Sequence, residues 1–175
     1  FSVPTLDGTW SFRNEWNGED VYIFLFKYTD SSGSGNNADW SKNPGSMIRQ
    51  LPDNAHLFYG SFDNSFKNDV QGRKTAVQNA LNADEELKWK DRIHYIDQDM
   101  STASGGLGDL INNWNSLYYG IDRFQRAREI GSIYAWTSQT NDITHWAYEA
   151  RMYNYEYPTE VRENDPNVHS VTIVD

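Results

Sequence analysis

The chain has 175 residues, a length typical of a single domain. Its 15 Lys and Arg against 25 Asp and Glu give a formal net charge of −10, which argues against nucleic acid or an anionic membrane surface as the main partner. The absence of cysteine excludes disulfide scaffolds, thiol nucleophiles, iron–sulfur clusters and cysteine zinc sites. Aromatic residues make up 15% of the chain, which is enough apolar bulk for a sizeable core.

The hydropathy of the chain and its first residue indicate in which cellular compartment the protein is found. No stretch approaches the roughly 18 consecutive apolar residues of a membrane span, so we expect no membrane insertion. The chain starts at Phe1 rather than Met, from which we expect a processed mature chain or an excised fragment. A chain without cysteine suits either a reducing cytosol or export. The many Asn, Ser, Gly and Tyr residues favour an extracellular, secreted protein.

The N-terminal part predicts an arm, a buried strand and a short helix. Residues 1–18 are expected to form an edge strand or an N-terminal arm. Val21 to Phe26 is an unbroken β-branched and aromatic run, which is typical of a central strand buried on both faces. A Gly/Ser-rich loop over residues 29–37 follows it. Ser41 or Asn43 is then suited to cap a short helix.

Two further strands alternate with helices in the middle of the chain. Ala55 to Phe62 predicts the second buried strand. Asp69 to Leu81 is helical in composition, and Asp84 to Lys90 continues that stretch. Arg92 to Asp97 predicts the third strand. The clearest helical pattern follows Gly105 and Gly106, because its apolar residues recur at a period of 3.6. These residues are Leu107, Leu110, Ile111, Trp114, Leu117 and Tyr118.

The C-terminal part predicts a strand pair and a last helix. Residues 120–131 suggest two strands with a turn near Arg126, and residues 130–136 also read as strand. Ile143 to Tyr157 predicts a helix that a following proline ends. We therefore expect one domain over residues 1–158. We expect a linker and C-terminal extension over residues 159–175.

This order of elements predicts an α/β fold. Strands that alternate with helices form right-handed crossovers, so we expect a central, mostly parallel or mixed sheet flanked by helices on both faces. Such a unit that ends in a hairpin and a helix resembles the thioredoxin-like fold, and within it the redoxin and peroxiredoxin branch. The segments that carry the resemblance are VYIFLFKY (21–28), AHLFYGSFD (55–63), RIHYIDQD (92–99) and DITHWAYEARMYNYE (142–156).

The chain departs from that family at the position of its reactive thiol. In active redoxins the first central strand leads into a loop and helix that carry a cysteine. Here that place is GSGNNADWSKNPG (33–45), where Trp40 is present but Ser, Lys or Asn stands at the thiol positions. The family also places a cis-proline before its late strand, and residues 117–133 contain no proline. The resemblance therefore implies a redox-inactive module that serves interaction or architecture.

A second resemblance concerns the setting of such a module. GIDRFQRAREIG (120–131), followed by a Tyr-rich helix that ends EARMYNYE (149–156), resembles thioredoxin-like modules of large exported multidomain proteins. This resemblance implies that the partners are proteins or other domains of a parent chain. No cofactor follows from it.

Acidic residues after the predicted strands suggest a metal site. Asp30, Asp63, Asp97 and Asp99 follow strands whose carboxyl ends meet at one edge of a parallel sheet, where open α/β folds bind ligands. Carboxylate oxygens are the ligands of Ca²⁺, and an enzyme that uses this acidic rim is one alternative function. The competing interpretation is that these residues are ordinary loop residues and helix caps.

Binding of a sugar or another small ligand is the other alternative. An exposed Trp can stack on a sugar, and Trp16, Trp40 and Trp136 lie in predicted loops or edges, although most Trp residues in a small domain serve packing. Arg123 belongs to a local positive cluster that can clamp an anion or pair with neighbouring acids. The candidate ligand-binding residues are Trp40, Asp39, Asp63, Asp97 and Arg123.

Two histidines fall in neighbouring predicted strands. His56 and His94 can act as metal ligands or serve as core or edge histidines, and no third ligand has an evident spacing.

Overall fold

The computed structural model describes residues 1–29, 39–113 and 118–129. The strands are β1 (Ser2–Thr5), β2 (Gly8–Ser11), β3 (Val21–Lys27), β4 (Ala55–Ser61), β5 (Ile93–Asp99), β6 (Tyr118–Ile121) and β7 (Ala127–Glu129). The helices are α1 (Phe12–Glu15), α2 (Pro44–Ile48), α3 (Phe66–Ala80), α4 (Ala83–Trp89) and α5 (Gly105–Asn113), with a 3₁₀ turn at Met100–Thr102.

The strands form one mixed sheet in the order β2-β1-β5-β4-β3-β6-β7. β3, β4 and β5 are parallel neighbours, as the three buried apolar runs predict. β6 lies antiparallel on the other side of β3, with Ile121 opposite Tyr22, and β7 pairs with β6. The prediction of a mixed α/β sheet is therefore confirmed, and so is the strand pair with its turn near Arg126.

Helices cover both faces of the sheet because β3 and β4 are apolar on both sides. On one face, odd-numbered residues of β3 such as Ile23 pack with residues of α2, α3 and α4. On the other face, even-numbered residues such as Phe24 pack with α5 and the β1–β2 hairpin. Six consecutive residues of β3 are buried, which explains why its sequence does not alternate.

Aromatic rings stack across the parallel strands on the second face. The Phe58 ring of β4 lies 4.6 Å from Phe24 of β3 and 4.3 Å from His94 of β5, both stacked. Trp10 of β2 covers Phe58 edge-on at 4.6 Å. This ladder of rings joins the hairpin to the centre of the sheet.

Asparagine caps two of the helices. The Asn43 side chain accepts a hydrogen bond from the Ser46 N–H at the start of α2, so Asn43 is the cap and Ser41 is not. At α4, Asn82 accepts from the Glu85 N–H while the Glu85 carboxylate accepts from the Asn82 N–H. This capping box separates α3 from α4, which the sequence suggested as one helical stretch.

One predicted element is corrected. The helix predicted through Tyr118 is described to Asn113, and Tyr118 instead begins β6. The helical periodicity misleads there because Tyr118 continues the apolar period but belongs to a strand that pairs with β3, where it lies opposite Leu25. Of the edge strand or N-terminal arm expected over residues 1–18, the edge strand is confirmed, and it belongs to a hairpin, β1–β2, at the end of the sheet.

Several predictions fall outside the described residues. These are the places of Trp114 and Leu117 on the predicted helix, the strand at 130–136, the helix at 143–157 and the domain boundary at 158. Within the described ranges, no helix combines the length and apolarity that a membrane span needs.

Candidate functional site

The carboxyl edge of the parallel strands carries a network of charged and hydroxyl groups. Lys27, the last residue of β3, lies with its ammonium 3.1 Å from Asp63 and 2.7 Å from Asp69. Asp63 also accepts hydrogen bonds from the Thr29 backbone N–H at 2.8 Å and its hydroxyl at 2.7 Å. Asp69 accepts from the Ser61 hydroxyl at 2.9 Å. Asp63 and Asp69 thus share one lysine and are otherwise held by hydrogen bonds within the chain.

The electrostatics of this network favour the charged forms of Asp63 and Lys27. Burial opposes ionisation of Asp63, but the hydrogen bonds from Thr29 and Lys27 outweigh it and lower the pKa of the carboxyl. Burial likewise opposes the charge on Lys27, and the contacts with Asp69 and Asp63 raise its pKa despite that burial. The ion pairs therefore persist at neutral pH.

The structure does not bring the candidate metal ligands together within the described part. Asp97 is exposed on β5, and Asp99 caps the 3₁₀ turn by accepting from the Ser101 N–H and hydroxyl. Both oxygens of Asp63 are already acceptors, so a cation there has to displace Thr29 and Lys27. No group of three or more His, Asp or Glu suited to a metal occurs among residues 1–29, 39–113 and 118–129. Asp30 lies outside these ranges, so the Ca²⁺ site stays a prediction.

Trp40 is held in place by a buried arginine. The Arg73 guanidinium of α3 donates to the Trp40 carbonyl at 2.7 Å and to the Lys42 carbonyl at 3.0 Å. It also lies 4.7 Å from the centroid of the Tyr59 ring and 5.7 Å from that of Trp40. Because Tyr59 meets the Trp40 ring edge-on, the segment after the Gly/Ser-rich loop is fixed to the sheet.

A pocket of about 630 Å³ opens beside this segment. Asp39, itself buried, forms an ion pair with Lys42. The pocket lining combines one aromatic side chain with polar ones, among them Trp40, Lys42, Asn43, Asn68, Asp69 and Arg73. Of the candidate ligand-binding residues, Trp40 thus lines a pocket, and Asp39 pairs with one of its lining residues.

Arg123 lies at the opposite edge of the sheet. It is in the turn between β6 and β7. Ile121, the last residue of β6, lies opposite Tyr22 at the amino end of β3. Its carbonyl accepts from the Trp16 indole N–H at 3.1 Å, and its guanidinium lies 5.0 Å from the Phe124 ring centroid. Asp122 stabilises the turn by accepting from the Phe124 and Arg126 N–H groups. Arg123 is therefore not near Trp40.

The amino edge of the sheet contains an Asp–His–His chain that we did not predict. The His56 Nε2 lies 3.2 Å from Asp20 Oδ2, and its Nδ1 lies 3.0 Å from His94 Nε2. Asp20 is fixed by the Asn17 amide at 2.7 Å and the Arg92 guanidinium at 3.1 Å. All three members sit at or beside the first residues of neighbouring parallel strands.

Asp20 sets the tautomers of both histidines. Burial opposes its charge, but hydrogen bonds from Asn17 and Arg92 lower the pKa of its carboxyl. As a carboxylate it accepts a hydrogen bond from the His56 Nε2–H, so His56 Nδ1 is an acceptor and the His94 Nε2–H donates to it. Burial lowers the pKa of His56 and, together with the neighbouring His56, lowers that of His94 to about 3. Both rings are neutral at pH 7.

The sequence held a partial signal for this chain. The sequence places His56 and His94 on neighbouring predicted strands, either as metal ligands or as core or edge histidines. They are partly buried and hydrogen-bonded to each other. Asp20 was missed because a single acid before an apolar strand has no distinctive pattern, and its partner lies 36 positions away.

Known proteins offer no guide to the chemistry of these groups. Comparisons of the chain with protein-family models, with curated proteins and with solved structures found no match.

Proposed function

We propose that the chain is a redox-inactive module with a thioredoxin-like fold, which serves protein interaction or a structural role in a larger protein. The observation that carries the proposal is the topology. Two parallel crossovers, β3–α2–β4 and β4–α3–α4–β5, precede an antiparallel pair that returns to the free side of β3. This order agrees with the alternating strands and helices and the hairpin of the resemblance, and the closing helix over residues 142–156 remains a prediction.

The segment before α2 supports the redox-inactive part of the proposal. It corresponds to the place of the reactive thiol and contains Ser41, Lys42 and Asn43. Asn43 is used as a helix cap, and Arg73 holds the carbonyls on either side of Ser41. Disulfide exchange needs a thiolate, and peroxide reduction by a redoxin passes through a sulfenic acid. Without cysteine neither intermediate forms.

Two measurements test this proposal. Insulin disulfide reduction and hydrogen peroxide consumption by the metal-free protein are expected to stay at the buffer rate. Turnover above that rate would overturn the redox-inactive part. The architecture is tested by NMR chemical shifts over residues 142–156, where the resemblance predicts a closing helix. Strand-like shifts there would contradict the thioredoxin-like assignment.

The pocket beside Trp40 favours a second candidate, binding of a small polar ligand such as a sugar. An aromatic ring surrounded by amide, carboxylate and guanidinium groups is suited to a hydroxyl-rich molecule. On a glycan array, we expect Trp40→Phe to weaken any signal of the parent chain, while Trp16→Phe leaves it unchanged. An array without signal, or one unaffected by Trp40→Phe, removes this candidate.

A further inference from the structure

A groove of about 850 Å³ lies beside the amino-terminal half of β5. The β1–β2 hairpin forms one wall, and α3 and α4 form the other. The apolar part of its lining consists of Trp10, Val77, Leu81, Trp89 and Ile93. His94, the end of the Asp–His–His chain, also lines it. The groove is separate from the pocket beside Trp40.

The backbone edge of β5 is open at this groove. β1 pairs with β5 at Thr5 and Ile96, and the Leu6 N–H donates to the Tyr95 carbonyl at 2.9 Å. The chain then turns at residues 6–7 into β2 and leaves β5. In the part of the chain that the structure describes, no strand pairs with Ile93 on this side.

The peptide groups of Ile93 point towards the groove. The Arg92 carbonyl accepts from the Leu57 N–H, so it faces β4. Backbone groups alternate in direction along a strand, and those of Ile93 therefore face away from β4, on the side where Leu6 reaches Tyr95. One N–H and one C=O are thus available for an additional strand.

The rim of the groove is acidic. Glu15, Glu86 and Asp91 line it, against Lys90 and Lys74. The Lys74 ammonium is already bound to Asp7 at 2.6 Å, which leaves an excess of negative charge. The chain as a whole carries a net charge of −10, so its field also attracts a cationic partner.

We propose that a basic peptide in extended conformation binds this groove by adding a strand to β5. Its main chain pairs with the N–H and C=O of Ile93, alternate side chains lie against the apolar walls, and its Lys or Arg side chains meet Glu15 and Glu86. This inference rests on the proposed role in interaction and names the class of partner.

Three acetylated and amidated peptides test the proposal on the full chain by NMR titration. They are Lys-Val-Thr-Val-Lys, the same peptide with the central Thr N-methylated, and Glu-Val-Thr-Val-Glu. The first is expected to shift the amides of Leu6, Thr9 and Ile93. N-methylation removes a main-chain donor and is expected to weaken binding about tenfold. The acidic peptide is expected to bind more weakly than the basic one.

Charge variants locate the contact. Glu15→Gln and Glu86→Gln are each expected to weaken binding of the basic peptide about threefold, the scale of an exposed ion pair. Glu19→Gln removes the same charge from an exposed position that does not line the groove, and is expected to change nothing.

Each contrary result overturns the proposal. Absence of binding below about 1 mM, shifts confined to another surface, equal affinity for the acidic peptide, or tolerance of N-methylation all do so. None of these results bears on the insulin and peroxide assays, so the proposed redox-inactive module stands or fails separately.

Discussion

Arg73 shows how one buried charge organises a candidate site. It is 5% exposed, yet it lies in the middle of α3 with its guanidinium under the 40–42 segment. Its charge is compensated by two carbonyl oxygens and by the faces of two aromatic rings rather than by a carboxylate. The position of Trp40 therefore depends on a residue more than 30 positions away.

Substitution of Arg73 is expected to be costly. Arg73→Met keeps the apolar stem but leaves the carbonyls of Trp40 and Lys42 without their donor. We expect a loss of about 2–4 kcal/mol in the free energy of unfolding, measured in urea. Arg13→Met, at an exposed position on α1, serves as the control and is expected to change stability by less than about 0.5 kcal/mol. Similar losses for the two variants would contradict the role given to Arg73.

The neutral histidines make stability dependent on pH. The pKa values of His56 and His94 are lowered by folding, so the unfolded chain takes up protons first as the pH falls. Stability is then fully present above about pH 6.5 and decreases towards pH 3. For His94 alone we expect a loss of about 2 kcal/mol between pH 7 and pH 5.

His94→Gln is the matched variant for that measurement. Its amide can still donate to His56 but does not titrate, so urea unfolding at the two pH values is expected to show a smaller loss. The pKa values of Asp20 and Asp63 are lowered from about 3.8 by folding. Their contribution to stability is therefore lost only below about pH 4, outside the range of this measurement. An identical loss in the variant and in the parent chain would assign the effect to other groups.

At the scale of elements, the ring ladder across β3, β4 and β5 concentrates packing on Phe58. This side chain is fully buried between Phe24, His94 and Trp10. Phe58→Ala is expected to cost about 3–5 kcal/mol of unfolding free energy, because it leaves a cavity between three strands. Phe58→Leu keeps most of the volume and is expected to cost less than about 2 kcal/mol. A loss below about 1 kcal/mol for the alanine variant would show that the neighbouring rings move into the space left by Phe58, and would contradict this prediction.

The sequence predicts an element best where hydropathy alone determines it. The runs at Val21–Phe26 and Ala55–Phe62 predicted buried strands because a parallel sheet with two covered faces leaves no polar face. The helix after Gly105 was predicted too long because the apolar period continued into Tyr118, whose strand is specified by pairing with β3. Long-range pairing is invisible in a local window. The Asp20–His56 contact was missed for the same reason.

For the whole molecule, the arrangement of the sheet predicts an order of local stability. β3 and β4 are central and covered on both faces, whereas β2 lies at an end of the sheet. In hydrogen exchange we expect β3 and β4 amides to exchange only through global unfolding, and those of β2 through local opening. Adding urea below the unfolding midpoint is then expected to accelerate exchange in β4 more than in β2. Equal protection in both strands would contradict this order.

The central position of β3 also constrains how the protein is made. Tyr22 of β3 has Ile121 as its antiparallel partner, roughly a hundred residues later in the chain. At ribosomal rates of about 5–20 residues per second, one hydrogen-bonding edge of the most apolar strand waits about 5–20 seconds for its neighbour to be synthesised. During that interval the nascent chain exposes the unpaired backbone N–H and C=O groups of a strand whose side chains are mostly apolar. A chaperone that shields it is expected to matter more for the yield of this protein than for that of a domain built from local hairpins.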